Sequence, residues 1–197
     1  MKIFGDLGSG NCLKVKYAAD HLGLPYTWVP IDILKGETRT SEFLRRFPMG
    51  RIPAVEFDDG RRLAESNAII RYLARGSPLL PDDAFVQAKI DEWLFWEQYS
   101  HEPYVATTRY HMVYLRRSLD EREPWRVERG EKALDLMESQ LAGRQWLVGE
   151  TMTIADIALL AYTRLAHEGG FDLAPRPNVR GWIGRCEQAL ELEPARR

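Results

Sequence analysis

The sequence has little cysteine and no long hydrophobic run, which excludes several classes of protein. Cys12 and Cys186 are the only cysteines among 197 residues, too few for a disulfide framework or a four-thiolate zinc site. No stretch approaches the roughly 18 consecutive apolar residues of a membrane span, and the N-terminus has no signal-peptide pattern. We therefore expect a cytoplasmic protein without a membrane partner.

The chain also has few histidines and no net positive charge. The 4 histidines are scattered without metal-ligand spacing, so we expect no metal site. The formal net charge is −2 and the pI is about 6.1, with no basic stripe, which argues against a nucleic-acid partner. Arginine outnumbers lysine by 21 to 6, a compositional bias that favours a bacterial source.

The chain changes character after Gly76. Before this residue, short apolar strands alternate with helical spacing in the order β-α-β-α-β-β-α, and the last helix is predicted from Glu65 to Arg75. After it, the apolar stripes have helical spacing, including a long helix that is interrupted or bent near Pro103. The sequence predicts an α/β domain over residues 1–76, a linker over 77–83 and an all-helical bundle over 84–197.

Thr153 is predicted to begin one helix of the second domain. Its side chain can cap the first turn, and Asp156 follows three residues later, as in an acidic variant of the capping box. Met152 and Ile157 occupy the two positions of a hydrophobic staple across that cap. We interpret this motif as a folding signal and give it no catalytic role.

Ile52-Pro53 and Glu65-Ser66 are the most informative motifs of the first domain. Pro53 opens an apolar strand and has no N–H for a ladder, so the backbone of Ile52 is expected to be available to another partner. Glu65-Ser66 opens a helix, whose N–H groups and dipole favour a carboxylate or a phosphate. An extended backbone beside such a helix start suits a small peptide-like ligand with a charged end.

Ser9 and Asn11 precede and begin the first helix. A hydroxyl and an amide at a helix start can donate hydrogen bonds to a thiolate, next to the positive end of the helix dipole. A free thiol has a pKa of ~8.5, and lowering it by about two units requires roughly 2.7 kcal/mol. A charge-assisted hydrogen bond of ~1.5–3 kcal/mol together with the helix end can supply that free energy.

Taken together, these motifs resemble those of the glutathione transferases over nearly the full length of the chain. The Ser9-Gly10-Asn11 start is most similar to that of the serine-type bacterial and theta-like members. The resemblance implies a thioredoxin-like N-terminal domain followed by a helical bundle. It also implies a cytosolic homodimer that adds the glutathione thiolate to a small hydrophobic electrophile, with a role in detoxification.

The resemblance assigns a role to each matching residue. Pro53 is expected to follow a cis peptide bond, and the backbone of Ile52 is expected to pair with the cysteinyl part of glutathione. Glu65 is expected to hold the γ-glutamyl ammonium and Ser66 its carboxylate. Lys35 or Arg39 is expected to reach the glycyl carboxylate. The residues implied to bind glutathione are Ser9, Lys35, Arg51, Ile52, Pro53, Glu65 and Ser66.

The resemblance also implies which residues act in catalysis and which bind the second substrate. Ser9 is expected to donate to the glutathione sulfur, with Asn11 assisting or substituting for it. The electrophile is expected to bind between the domains. The implied pocket residues are Tyr104, Thr107, Thr108, Tyr110, His111 and Phe171.

The same residues also allow different interpretations. Ser9 and Asn11 can be local caps of the first helix, and Lys35 and Arg39 can be solvated charges. Cys12 can be a nucleophile with a lowered pKa, which would make the protein a glutathione-dependent disulfide reductase, or it can be a small core residue. A glutathione-dependent isomerase or lyase would share the predicted fold, and so would a non-catalytic glutathione-binding or regulatory protein.

Overall fold

The computed structural model describes residues 1–195. The chain divides into two compact units, Met1–Ser77 and Pro78–Arg197, which we call unit 1 and unit 2.

Unit 1 is an α/β unit built on one four-stranded sheet. Its strand order is β2-β1-β3-β4, in which β1 pairs parallel with β2 and antiparallel with β3, and β3 pairs antiparallel with β4. This confirms the predicted thioredoxin-like domain. In chain order its elements are β1 Lys2–Gly5, α1 Gly10–His21, β2 Thr27–Pro30, α2 Ser41–Arg46, β3 Ala54–Glu56, β4 Arg62–Ala64 and α3 Ser66–Leu73.

Aromatic side chains form part of the core on one side of this sheet. Phe4, Phe43 and Phe47 are buried together with Ala54, and their ring centroids lie 5.2 to 6.3 Å apart. The guanidinium of Arg46 lies 4.5 Å from the centroid of the Phe4 ring. This cluster fixes α2 and the start of β3 to the strand β1, and so fixes the segment that leads into Pro53.

Unit 2 is helical, as the sequence predicted. Its helices pack around a core that includes Val105, Leu134, Ala166 and Phe171. The elements are α4 Ala84–Trp96, a π-helical segment Glu97–Ala106, α5 Thr107–Val113, α6 Pro124–Gln140, α7 Ile154–Thr163 and α8 Pro177–Ala189, with single turns of 3-10 helix at Leu119–Glu121 and Ala166–Gly169.

The predicted interruption near Pro103 is a π-helical segment between α4 and α5. Proline has no N–H and its ring crowds the preceding turn of an α-helix, which the wider π-helical turns relieve. The Pro103 carbonyl accepts a hydrogen bond from Nη1 of Arg126 on α6, at 2.7 Å. The chain stays helical through the proline, and α6 supplies a donor to the Pro103 carbonyl.

The capping box at the start of α7 is present as predicted. Thr153 Oγ1 accepts from the Ala155 N–H at 3.3 Å, and Asp156 Oδ2 accepts from the Thr153 N–H at 2.9 Å. The other carboxylate oxygen of Asp156 accepts from the Leu147 N–H at 3.0 Å and from Nε1 of Trp182 at 2.8 Å. Burial raises the pKa of Asp156, and these donors oppose that rise.

Two features are absent from residues 1–195. No helix in that range is long and apolar enough to cross a membrane. The same residues contain no group of three or more His, Cys, Asp and Glu side chains that could hold a metal ion.

Candidate functional site

Ile52 is held by its side chain, which leaves its backbone as the part that can face a ligand. The side chain packs against the aromatic cluster of unit 1, and the Ile52–Pro53 peptide bond is cis, as the resemblance implied. The β-ladder begins at Ala54, so Ile52 and Pro53 lie outside its paired registers. Gly50, at φ +60°, turns the chain into this segment.

Glu65 forms the whole connection between β4 and α3. Because the strand ends at Ala64 and the helix begins at Ser66, one residue must reverse the backbone, and Glu65 does so at φ 67° and ψ 113°. A non-glycine residue in such a conformation costs of order 1–3 kcal/mol, and residues of this kind cluster at active sites and ligand clamps. The Glu65 side chain is exposed, while the following Ser66 is buried.

Ser66 brings the starts of α3 and α1 together. Its hydroxyl donates to Oδ1 of Asn11 at 3.0 Å, although the two residues are 55 positions apart in sequence. The predicted anion-binding residue and one of the two predicted thiolate donors are therefore neighbours. The hydrogen bond links the expected position of the γ-glutamyl group to the expected position of the sulfur.

Lys14 is a residue of this site that the sequence motifs did not identify. Its side chain is completely buried, and its Nζ donates to Ser66 Oγ at 3.5 Å and to Asn67 Oδ1 at 3.4 Å. The sequence carries one signal for the burial of Lys14, which is its spacing from other residues of α1. Lys14 lies three residues after Asn11 and four before the buried Ala18, so all three share one face of α1.

Ser9 stands at the N-cap position of α1 without making the usual side-chain cap. Its carbonyl accepts from the Leu13 N–H at 2.9 Å, but its hydroxyl forms no capping hydrogen bond within the described chain. The Ser9 side chain instead lies beside Cys12, where it acts to lower the pKa of the thiol. The alternative that Ser9 is only a helix cap is therefore not supported by the geometry.

Cys12 is a core residue. Its side chain is completely buried, and burial raises the pKa of the thiol to about 11. A reactive cysteine needs a lowered pKa and an accessible sulfur, and Cys12 has neither. This environment argues against the disulfide reductase in which Cys12 is the nucleophile.

The basic residues predicted to reach the glycyl carboxylate lie in different surroundings. Lys35 is exposed and pairs with Asp32 at 3.3 Å. Arg39 lies over Gly50, where an added Cβ would come within 2.6 Å of its Nη1. Arg51 is exposed directly before Ile52. Of Lys35 and Arg39, it is therefore Arg39 that approaches the segment leading to Ile52.

The predicted electrophile-pocket residues do not all remain candidates. Phe171 is only 2% exposed and belongs to the core of unit 2, where its ring covers Gly130. Thr108 is buried as well, and its hydroxyl donates to the Tyr104 carbonyl at 2.6 Å. Both side chains are buried inside unit 2, so we do not propose them as contacts of the electrophile.

The four remaining candidates are at least partly accessible. Tyr104 OH accepts from Arg129 at 2.9 Å, and the Tyr110 ring stacks on Tyr114 with centroids 5.2 Å apart. His111 Nδ1 lies 3.5 Å from a carboxylate oxygen of Glu123. Thr107, Tyr104 and His111 are half-buried and Tyr110 is exposed, so unit 2 presents aromatic and polar groups along α5 and the turn before it.

Comparisons with known proteins agree for both units. Residues 8–75 match the model for the glutathione S-transferase N-terminal domain, and residues 104–189 match the model for the glutathione S-transferase C-terminal domain. Glutathione S-transferase 3 of Zea mays is 33% identical, and the match covers 99% of this chain and 90% of that protein.

Solved structures give the same result. The structure of a glutathione S-transferase from Pseudomonas fluorescens Pf-5 is 48% identical with a TM-score of 0.91, covering 94% of each chain. Ure2p in complex with glutathione is 25% identical with a TM-score of 0.87, covering 96% of each chain.

Proposed function

The chain belongs to the glutathione S-transferase family, and we propose that it binds glutathione in unit 1 and transfers its thiolate to an electrophilic carbon of a small hydrophobic molecule. The observation that carries this proposal is the 3.0 Å hydrogen bond between Ser66 and Asn11, beside the strained Glu65. It brings a group suited to the γ-glutamyl end within reach of a group suited to the sulfur.

Glutathione is an extended tripeptide with charged ends, and the proposal divides it among three parts of unit 1. The Glu65 carboxylate takes the γ-glutamyl ammonium, and the start of α3 at Ser66 takes the α-carboxylate. The backbone of Ile52 takes the cysteinyl amide. Arg39, Arg51 or Lys35 takes the glycyl carboxylate, and the position of Arg39 over Gly50 supports the first of these.

Catalysis in this proposal consists of lowering the thiol pKa and positioning the thiolate. Ser9 and Asn11 donate hydrogen bonds to the sulfur, and the positive end of α1 adds to their effect. The thiol proton leaves to water, and the sulfur then forms a C–S bond. In a substitution the leaving group departs with its electron pair, and in an addition the new carbanion takes a proton from water.

The second substrate binds to unit 2 in this proposal. Tyr104, Thr107, Tyr110 and His111 of unit 2 contact the electrophile, and the protein acts in detoxification in a bacterial cytoplasm. We also propose a homodimer. Its support is the family membership together with Phe85, Phe95 and Tyr99, which are 74%, 74% and 82% exposed, since aromatic side chains are enriched in interfaces.

The test compares Ser9→Ala, Asn11→Ala and the double variant with the wild-type protein. The ultraviolet absorbance of the bound thiolate is measured against pH, and glutathione affinity is measured by calorimetry. The double variant is expected to bind glutathione within about threefold of wild type but to raise the pKa of the bound thiol by about two units. Ser139→Ala, an exposed serine of α6 whose hydroxyl donates to the Leu136 carbonyl, serves as the control.

Two results would contradict the proposal. Wild-type protein that is not retained on immobilised glutathione and shows no calorimetric binding would remove glutathione as its substrate. A double variant with the wild-type thiolate signal would leave binding intact but remove Ser9 and Asn11 from the mechanism.

A further inference from the structure

Lys14 is a charged residue that is buried inside unit 1. Lysine is almost never completely buried in proteins unless its charge is satisfied, yet none of its side-chain surface is accessible here. Its Nζ donates hydrogen bonds to Ser66 and Asn67, at the start of α3. Lys14 therefore points from one helix of the proposed glutathione site into the start of the other.

The hydrogen bonds from Lys14 have a fixed direction. A lysine ammonium can only donate, so Ser66 Oγ accepts from it, and the single hydroxyl hydrogen of Ser66 is directed to Oδ1 of Asn11. A positive charge at the serine oxygen makes that hydroxyl a stronger donor. The carboxamide oxygen of Asn11 faces Ser66. The carboxamide nitrogen, which carries both donor hydrogens, is the other terminal atom of the group and therefore does not face Ser66.

We propose that Lys14 is a positioning residue for Asn11, acting through Ser66 to hold the Asn11 carboxamide with its nitrogen toward the sulfur of bound glutathione. This inference rests on the proposed function and deepens it. It assigns the buried lysine a part in thiolate stabilisation without contact with the sulfur. It also means that the residue that receives the γ-glutamyl carboxylate, Ser66, is coupled to the residue that serves the sulfur.

Removing Lys14 should therefore change the pKa of the bound thiol more than the affinity for glutathione. Without the ammonium, the Ser66 hydroxyl can rotate away from Asn11, and the carboxamide can present its oxygen to the sulfur. The carboxamide oxygen carries a partial negative charge and repels a thiolate. The carboxamide N–H groups donate hydrogen bonds to it and attract it. Glu65 and the backbone of Ile52 are unchanged, so most of the binding contacts remain.

The experiment is a double-mutant cycle with Lys14→Met, Asn11→Ala and the two combined. The pKa of the bound glutathione thiol is read from thiolate absorbance against pH, and the dissociation constant is measured by calorimetry. Lys14→Met is expected to raise the bound-thiol pKa by about half a unit or more, with affinity within about threefold of wild type. In the Asn11→Ala background the same substitution is expected to have no further effect.

Lys16→Met is the matched control. Lys16 lies two residues further along α1 but is partly exposed, and its Nζ lies 2.6 Å from Asp20 and 3.2 Å from the Tyr26 hydroxyl. It carries the same charge on the same helix without touching Ser66. Its substitution is expected to leave both the thiol pKa and the affinity at their wild-type values.

Three results would overturn the inference. If Lys14→Met has the same effect with and without Asn11, the lysine acts as a charge through space. If it weakens binding more than tenfold but leaves the pKa of the bound thiol at its wild-type value, it serves the γ-glutamyl end alone. If it changes neither quantity while wild type binds glutathione with a lowered thiol pKa, the inference fails and the proposed function stands.

A second variant covers the case in which Lys14→Met does not fold, as judged by circular dichroism. Ser66→Ala interrupts the same chain of hydrogen bonds one step later and leaves Lys14 in place. It is expected to raise the bound-thiol pKa as Lys14→Met would. A wild-type thiol pKa in Ser66→Ala would overturn the inference. Wild-type protein that fails to bind glutathione would instead contradict the proposed function itself.

Discussion

Glu65 shows how a single residue can be kept at a cost in stability. Its φ of 67° is a conformation that glycine adopts without strain, and the one-residue connection between β4 and α3 requires it. Glycine at this position would fold at least as well. The exposed carboxylate is therefore not needed for this backbone conformation, and the proposed contact with the γ-glutamyl ammonium gives it a role.

We predict that Glu65→Gly keeps or gains stability and loses affinity for glutathione. Relief of about 1–3 kcal/mol of strain exceeds the 0.5–1 kcal/mol entropic cost of glycine, so the melting temperature should stay the same or rise by a few degrees. Glutathione affinity should fall tenfold or more. Glu65→Gln keeps the strained backbone, so it should lose affinity without gaining stability. A Glu65→Gly variant with wild-type affinity would contradict the assigned role.

Cys12 leads to a second prediction at the residue scale, which concerns pH. Its pKa is about 11 in the folded protein against 9.0 for the unfolded reference, so between these values the unfolded chain loses its proton first. The contribution of Cys12 to stability is therefore complete below about pH 9 and is lost as the pH rises through 11, with an upper bound of about 3 kcal/mol.

Urea denaturation at pH 8 and pH 10.5 measures this dependence. Wild type should lose more stability between the two pH values than Cys12→Ala, and at pH 7.5 the native Cys12 thiol should resist iodoacetamide. Glutathione-transfer activity of Cys12→Ala should remain within about threefold of wild type, since the thiol is buried. Rapid alkylation of native Cys12 together with loss of activity in the variant would restore the disulfide reductase as a candidate function.

At the scale of elements, one carboxylate at the start of α7 accepts hydrogen bonds both from its own helix cap and from distant residues. Asp156 closes the capping box of its own helix and also accepts from Leu147 and from Trp182 of α8. A cap that served only its own helix would contribute about 1 kcal/mol. Asp156 additionally satisfies buried donors from a preceding loop and a following helix.

We predict that Asp156→Ala costs about 3–5 kcal/mol in the free energy of unfolding, because it leaves several buried N–H groups without their acceptor. Asp83→Ala is the matched control. Asp83 caps α4 through one exposed hydrogen bond to the Val86 N–H at 2.9 Å, so its loss should cost about 1 kcal/mol. Chemical denaturation of both variants measures the difference, and equal costs would show that Asp156 acts only as a cap.

The same elements show what the sequence can and cannot predict. The Thr153–Asp156 box and the succession of strands and helices in unit 1 are encoded by spacings of a few residues, and both were predicted. The contact of Asp156 with Trp182, 26 residues away, depends on how α7 and α8 pack. The burial of Lys14 likewise depends on α3, 52 residues further along the chain. Spacing within α1 indicates its face but cannot identify what that face meets.

Phe171, one of the residues expected to line the electrophile pocket, is buried in the core for a related reason. Phe171 is apolar and lies in a loop region of the sequence, where it can either line a pocket or fill a core. The deciding fact is that Gly130 of α6 leaves room for its ring, with an added Cβ there only 2.5 Å from two ring carbons. Gly130 and Phe171 are 41 positions apart in the sequence. Hydrophobic periodicity describes spacing within one element, so it cannot show that these two residues meet.

At the scale of the whole molecule, the proposed functions separate by unit. The residues proposed to hold glutathione, from Ser9 to Ser66, belong to unit 1, and the proposed electrophile contacts belong to unit 2. Binding of one substrate should therefore respond to changes in one unit only. Kinetic constants measured for the two substrates separately can test this division.

We predict that Tyr110→Ala raises KM for the electrophile about three- to tenfold while KM for glutathione stays within twofold, since an aromatic contact is lost on one side only. Glu65→Gln should have the opposite pattern. Tyr72→Ala is the control, because Tyr72 is as exposed as Tyr110, at 36%, but lies near the far end of α3 from Ser66 and packs against Phe57. It should change neither constant. If Tyr110→Ala raised both KM values equally, the division of substrates between the units would be wrong, because a change confined to unit 2 would then reach the site in unit 1.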